Sequence, residues 1–409
     1  MKALVLGHGR SGKAAETLLC RSGYSVTVLD GEAVFPEGSF DFVLVSPGIA
    51  LTHPWIVEAT RRGIPLESEL QLGCEELKRR GWKLLAVTGS KGKSSVVKVV
   101  ADAINLAGGR AVPCGNYGVP VSEVANSNTQ TLKHSNNSSW AVVEVSSFMM
   151  ETTTLPPDTF EAAAILNLQE DHLDRHGSVE VYHGLKRKLL RFAARNFVND
   201  GLSSEQRSNG ASEHLWKGSY FDNETLRDNA RVAAELMRVT GLDDAKIAAA
   251  FKNFEPLPHR MNLVAEFDGI RCIDDSKATS IAALIAGVKM ASVTHTAQGT
   301  RHEAQIRLIA GGLPKGDDPT AACPTLTERV RKVYLIGQSA EAFCAAWKGS
   351  VDCEICGTLD RAVKKALCEA GKDEAVLLSP GTASFDQFKS YGVRGDVFAD
   401  LVKKERQNR

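Results

Sequence analysis

Short apolar runs closed by glycine or a polar turn alternate along the chain with longer stretches whose apolar residues recur at helical spacing. Ala3 to Leu6, Ser25 to Leu29 and Phe42 to Val45 are runs of the first kind, and Lys13 to Arg21 is a stretch of the second. Uninterrupted apolar runs of this length read as parallel strands buried on both faces. A second cycle opens at Lys83 to Val87, turns at Gly89 and continues as a helix from Ser94 to Leu106. Further strands are expected at Ala141 to Val145 and Ala163 to Leu166, and helices at Val181 to Ala194 and Leu226 to Thr240. Pro256-Leu257-Pro258 interrupts the helical pattern and reads as a linker, because proline removes a backbone donor and resists helix interiors. Beyond it, Ile306 to Ala310, Val333 to Ile336 and Ala375 to Leu378 predict the strands of another open sheet. The expectation is an α/β protein of three domains: residues 1–80 Rossmann-like, 81–256 resembling a P-loop ATPase, and 257–409 Rossmann-like again. Asn126 to Ser139, Ser203 to Ser219 and Thr294 to Gln305 are polar stretches expected to be surface loops.

Composition narrows the partners. The chain has 409 residues, too many for one ordinary core, with 43% hydrophobic and 24% charged residues, as in a water-soluble globular protein. Lys plus Arg and Asp plus Glu are equal at 49 each, so no net field holds a nucleic acid or an anionic membrane. A small-molecule partner is expected. The first apolar run is too short for a signal peptide or a membrane span, which predicts a cytoplasmic protein. Nine cysteines, an odd number scattered mostly in apolar stretches, argue against a disulfide framework. Cys353 and Cys356 form a lone Cys-x-x-Cys without a second pair to complete a zinc site.

Two glycine motifs carry chemistry. Gly7-His8-Gly9-Arg10-Ser11-Gly12 follows a strand, opens a helix and has Asp30 at the end of the next strand, the arrangement of a dinucleotide-binding turn. NAD fits that spacing, and so does any nucleotide diphosphate. Val87-Thr88-Gly89-Ser90-Lys91-Gly92-Lys93-Ser94-Ser95 sets strand, glycine turn, lysine, hydroxyl and helix in order, with a loop two residues shorter than the usual Walker spacing. Backbone N–H groups there can cradle phosphates, Lys93 can reach the outer ones, and Ser94 can face a magnesium ion. Glu144 and Asp171-His172 close apolar runs whose carboxy ends should converge on that loop. Glu144 suits magnesium, whereas His172 is an unusual ligand that suits manganese or a second site. Lys186 lies in the basic run Lys186-Arg187-Lys188, which by pattern alone reads as a solvated helix face. Arg260 and Lys277 belong to polar clusters at a domain edge and can hold anions.

Taken in order, these motifs resemble the Mur ligases of peptidoglycan synthesis, most closely the D-glutamate-adding members. Matching stretches include Ser46-Pro47-Gly48-Ile49, the phosphate loop, Gly115-Asn116-Tyr117-Gly118, Glu144 to Phe148, Glu170 to Asp174, Leu257 to Arg260, Asp275 to Thr279, and Leu378 to Phe388. The resemblance implies that the first domain holds UDP rather than NAD, and that ATP activates a lactoyl-alanine carboxylate as an acyl phosphate for attack by the amine of D-glutamate. It implies ATP and magnesium, as two ions, with Lys93, Glu144, His172 and Lys186 catalytic and Ser94, Glu144, His172 and a carbamylated Lys186 around the metals. Gly89, Ser90, Lys91, Gly92, Lys93, Ser94, Ser95, Asn229, Arg260 and Asp275 would hold ATP. UDP-N-acetylmuramoyl-L-alanine would meet Arg10, Ser11, Asp30, Ser46, Gly48, Asn116 and Ser146. D-Glutamate would meet Lys277, Thr279, Lys315, Ser384, Phe385 and Tyr391. A monomer without nucleic-acid or membrane partners is implied. Departures from the family pattern are Gly31-Glu32 after Asp30, Lys91 in place of asparagine, Thr225-Leu226 upstream of Asn229, Tyr391 in place of phenylalanine, and a shortened stretch from Asn199 to Leu226 expected to cost the central sheet edge strands. Two further readings are a sibling Mur or folylpolyglutamate-type ligase, and a UDP-sugar-binding protein without turnover.

Overall fold

Along the first strand, Leu4 and Leu6 join one hydrophobic cluster with Trp55, Ile56 and Ala59, while Ala3 and Val5 join another with Ala15 and Leu19. Burial on both faces is what an uninterrupted apolar run requires, and it places one helix on each side of the sheet. A computed structural model describes residues 1–127, 138–199, 210–295 and 301–407. The chain divides into two units, Met1–Asp222 with Leu226–Phe254, and Asn223–Thr225 with Glu255–Arg409.

The first unit contains two all-parallel sheets. β1 (Lys2–Leu6), β2 (Ser25–Leu29), β3 (Phe42–Val45) and β4 (Leu66–Ser68) run in the order β2-β1-β3-β4. β5 (Lys83–Thr88), β6 (Arg110–Gly115), β7 (Ser139–Glu144), β8 (Ala162–Ile165) and β9 (Asn196–Val198) run in the order β6-β7-β5-β8-β9. Helix Lys93–Leu106 packs on β6 and β7 and against helices Arg227–Val239 and Asp244–Lys252. The opposite face is covered by helix Glu69–Arg79, whose Leu70, Cys74 and Leu77 share a cluster with Leu84, Ala86, Ala141 and Val143.

In the second unit, β10 (Asn262–Phe267), β11 (Ile270–Asp274), β14 (Ile306–Gly311), β15 (Val330–Ile336), β16 (Asp352–Gly357) and β17 (Ala375–Leu378) form one sheet in the order β10-β11-β17-β14-β15-β16. Only the edge pair β10–β11 is antiparallel. A separate antiparallel pair joins β12 (Val293–His295) to β13 (Arg301–Glu303). The expected loop from Thr294 to Gln305 is therefore corrected in part, since Thr294, His295 and Arg301–Glu303 pair as strands. Residues 128–137, 203–209 and 296–300 of the three polar stretches lie outside the described residues, as do residues 200–209 of the shortened Asn199 to Leu226 stretch. Cys353 and Cys356 both sit on β16, but one faces the cluster of Leu308 and Trp347 and the other that of Ile309 and Val363. Opposite faces keep the two thiols from sharing a metal. Among the described residues no helix is long and apolar enough to cross a membrane.

Glu69 explains part of the cohesion of the first unit. Its Oε1 accepts the backbone N–H of Ser122 at 2.5 Å, while Ser68, which caps the same helix, meets the Thr153 hydroxyl at 2.6 Å. Burial pushes the Glu69 carboxyl up from 4.5 to about 7, against the opposing hydrogen bonds from Ser122. Between those values the folded state holds a proton that the unfolded chain has shed, so stability falls as pH rises through that window. We predict that Glu69→Gln removes this slope and is the more stable protein above neutral pH by about 1–3 kcal/mol in urea unfolding. Parallel pH profiles for variant and wild type would contradict the assignment.

Candidate active site

β5 ends at Thr88, whose hydroxyl donates to the Val145 carbonyl at 2.8 Å, and the chain then turns through residues 89–92 into helix Lys93–Leu106. The turn is held from outside. Ser90 N–H donates to the Asn167 carbonyl (3.0 Å), Lys91 N–H donates to Asn167 Oδ1 (2.8 Å), and Asn167 Nδ2 donates back to the Lys91 carbonyl (2.9 Å). The Ser90 hydroxyl donates to the Gln169 carbonyl at 2.9 Å and lies 3.1 Å from the Tyr182 hydroxyl. β8 runs over Ala162–Ile165, within one residue of the expected strand at each end, and the residues that follow it leave the sheet to bind the loop.

Two ammonium groups converge on one carbonyl. Lys93 Nζ donates to the Gly89 carbonyl at 2.7 Å and to that of Ser90 at 3.0 Å, and Lys186 Nζ donates to the Gly89 carbonyl at 2.9 Å. Lys186 is 1% exposed and lies 4.5 Å from the centre of the Tyr182 ring, its neighbour one helical turn earlier. The solvated-face reading of the basic run thus holds for Arg187, which is exposed, and fails for Lys186. Burial lowers Lys186 to about 7, Lys93 adds repulsion, and Asp171 and Glu144 oppose the shift. Relative to a solvated lysine, this environment favours the neutral amine.

Glu144 closes β7 at 2% exposure. Its Oε1 accepts from Asn116 Nδ2 at 2.7 Å, whereas its Oε2 has no hydrogen-bond partner among the described residues. A buried carboxylate oxygen left without a donor fits a hard cation. Ser94, at 8% exposure in the first turn of the helix, supplies a hydroxyl of the kind that magnesium accepts. His172 has a left-handed backbone (φ 53°) and a ring 4.9 Å from that of Phe148. Among the described residues no three His, Cys, Asp or Glu side chains form a metal cage. Magnesium usually combines one or two carboxylates with substrate phosphates and water, so the donor set suits it without a cage.

Near the first sheet, the Ser46 hydroxyl donates to the Gly7 carbonyl at 3.0 Å and the His8 N–H donates to Asp30 Oδ1 at 3.2 Å. Arg10 Nη1 donates to the Gly118 carbonyl at 2.9 Å, which brings it to the loop that carries Asn116. Arg10, Asp30, Gly48 and Asn116 are exposed and Ser11 is half-buried, while Ser146 caps the short helix Ser147–Met150. A Cβ on Gly12 would lie 1.9 Å from the Gly7 carbonyl, so the helix can approach this turn only as glycine.

In the second unit, the ends of β11 and β17 bring Asp275 and Ser379 together, with the Ser379 hydroxyl donating to Asp275 Oδ2 at 3.0 Å. Burial raises Asp275 to about 7, against that hydrogen bond and the charge of Arg260. Lys277 Nζ lies 3.8 Å from the centre of the Tyr391 ring, and Lys315 Nζ donates to the Thr279 hydroxyl at 3.3 Å. Ser384 is buried beside Phe385, which is exposed. The two lysines and the hydroxyls of Thr279 and Ser384 are groups of the kind that a carboxylate accepts from.

Asn229, on helix Arg227–Val239, meets the phosphate turn directly. A Cβ on Gly92, which has φ 84°, would lie 2.2 Å from Asn229 Nδ2. Asn167 and Tyr182 escaped the reading of the sequence, although Tyr182 stands four residues before Lys186 and shares its helix face.

The Mur ligase middle domain matches residues 87–230, and the Mur ligase glutamate ligase domain matches residues 259–381. The chain is 34% identical to a UDP-N-acetylmuramoylalanine–D-glutamate ligase of Chromobacterium violaceum, over 97% of this chain and 96% of that one. It is 31% identical to the protein of that name from Acidobacterium capsulatum, over 99% and 96%. Among solved structures, it is similar to the UDP-N-acetylmuramate-alanine ligase MurC of Thermotoga maritima (TM-score 0.58, 16% identity, all of both chains). It is also similar to the MurF ligase of the same organism in complex with ADP (TM-score 0.61, 14% identity, 100% of this chain and 95% of that one).

We predict that Gly92→Ala costs about 1–3 kcal/mol of stability, because the added methyl meets Asn229 at a left-handed backbone position. An unchanged urea midpoint would contradict that approach.

Proposed function

This chain belongs to the Mur ligase family, and on that premise we propose that it is an ATP-dependent carboxylate–amine ligase that adds D-glutamate to UDP-N-acetylmuramoyl-L-alanine. The observation that carries the reading is the pairing of a lysine-lined glycine turn with a buried carboxylate oxygen, Glu144 Oε2, that lacks a donor. Residues 1–80 would hold the UDP-sugar, residues 81–256 ATP, and residues 257–409 the amino acid.

A carboxylate is a poor acyl electrophile, and transfer of the γ-phosphoryl group from ATP gives it a leaving group. The resulting acyl phosphate is attacked by the amine of D-glutamate; the C–N bond forms, phosphate departs, and the amine loses a proton. Lys93 leaves the carbonyls of its own loop to contact the outer phosphates, offsetting the repulsion between two anions brought together. Ser94 and Glu144 would hold magnesium, with His172 at a second ion, and the metal would supply Lewis-acid polarisation of phosphoryl oxygens. Lys186, whose burial favours the neutral amine, is suited to capture carbon dioxide as a carbamate, which would convert a cation into an anion for the second ion. Gly89 to Ser95 with Asn229, Arg260 and Asp275 would bind ATP. The diphosphate and sugar would lie along Arg10, Ser11, Asp30, Ser46, Gly48, Asn116 and Ser146. Lys277, Thr279, Lys315, Ser384, Phe385 and Tyr391 would bind the two carboxylates of D-glutamate. A reaction that uses ATP and a nucleotide sugar would run in the cytoplasm, and the chain would carry it out as a monomer.

Phosphate release from Mg·ATP with UDP-N-acetylmuramoyl-L-alanine is expected with D-glutamate and not with L-glutamate, L-lysine or diaminopimelate. Release with another of these amines would move the chain to a sibling activity, and release with none would favour a nucleotide-sugar binder without turnover.

A further inference from the structure

Arg175 lies three residues beyond His172, on the short helix Leu173–His176, with its side chain 14% exposed. Its fork grips Glu151, Nε to Oε1 at 3.1 Å and Nη2 to Oε2 at 2.6 Å. The Glu151 side chain is 7% exposed, and its Oε1 stands 3.4 Å from Nδ1 of His176, whose Nε2 lies 3.0 Å from the Ser147 hydroxyl. A largely covered ion pair of this kind needs no function to explain it. Two further contacts do not belong to the ion pair: Nη2 also donates to the carbonyls of Ile49 (2.9 Å) and Pro47 (3.2 Å), the residues on either side of Gly48. The guanidinium lies 4.7 Å from the centre of the Phe148 ring, which is also in contact with the rings of His172 and His176.

We propose that Arg175 is a positioning residue that sets the register between the nucleotide-sugar loop at Gly48 and the segment that carries His172. The inference rests on the roles given above to Gly48 and His172. A substrate held by its sugar at one loop and by its carboxylate near the phosphate turn reacts only if the two loops keep a fixed spacing, and small displacements there are costly. The planar fork satisfies that requirement, because Nε and Nη2 together fix its plane on Glu151 and so hold Nη2 against both loop carbonyls. A lysine offers one nitrogen on a flexible stem and no second donor, so nothing fixes its direction towards the loop while it pairs with Glu151.

The test uses Arg175→Lys and Arg175→Ala in the full chain. Urea midpoints, calorimetric binding of UDP-N-acetylmuramoyl-L-alanine without ATP, and steady-state KM for all three substrates would be measured. Arg175→Lys is expected to remain folded, with KM for the nucleotide sugar raised about 10-fold or more, and with KM for D-glutamate unchanged. Added guanidinium ion should restore part of the activity of Arg175→Ala; if that variant does not fold, the lysine variant decides alone. An unchanged KM for the nucleotide sugar in Arg175→Lys, or an equal rise for all three substrates, would overturn the proposal. Wild-type protein that does not bind the nucleotide sugar would instead overturn the assignment of the site, and this role with it.

Discussion

The carbonyl of Gly89 receives hydrogen bonds from two lysines, and much of the active-site architecture serves to hold that convergence. Like charges brought out of water repel each other and lose hydration, a combination that proteins keep only where something offsets it. Here the offsets are Glu144 and Asp171 on the protein and, on the proposed reading, the phosphates of ATP and a magnesium ion. The depression of Lys186 to about 7 expresses the same imbalance from the side of the protein alone. A chain selected only for stability would replace so costly an arrangement with apolar packing.

The parallel sheet supplies the convergence. β7, β5 and β8 are neighbours running in one direction, so the residues that follow their carboxy ends meet at one edge: Glu144 to Ser147, the glycine turn, and Asn167 to Gln169. The second unit repeats the device on its own sheet, where the ends of β11 and β17 bring together Asp275 and Ser379. Nothing in the backbone of either sheet specifies a substrate; the specificity resides in the side chains at the strand ends.

The central strands were legible because burial on both faces demands continuous apolar residues, as in Leu84 to Val87 and Ala375 to Leu378. Apart from β2, the edge strands were not. β10 alternates exposed and buried positions, β4 and β9 have 3 residues each, and β16 carries aspartate and glutamate among its cysteines. At the site, Lys93 and Ser94 were readable from local order alone, and Glu144 from its place at the end of an apolar run. Lys186 was not, because its burial depends on the phosphate turn and Tyr182 closing over it, and its sequence neighbours are solvated cations. Asn167 and Arg175 act through partners 76 to 128 residues away, a distance that no spacing rule encodes. The roles assigned to such residues therefore follow from contacts, whereas those of the glycine turn follow from order along the chain.

The most direct measurement is the thermal midpoint of wild type and Glu144→Gln with ATP, in the presence and absence of magnesium. If Glu144 Oε2 awaits a divalent ion beside the phosphates, magnesium will add a saturable stabilisation to the ATP complex of the wild type that the variant lacks. Equal magnesium-dependent stabilisation of both proteins would contradict the account.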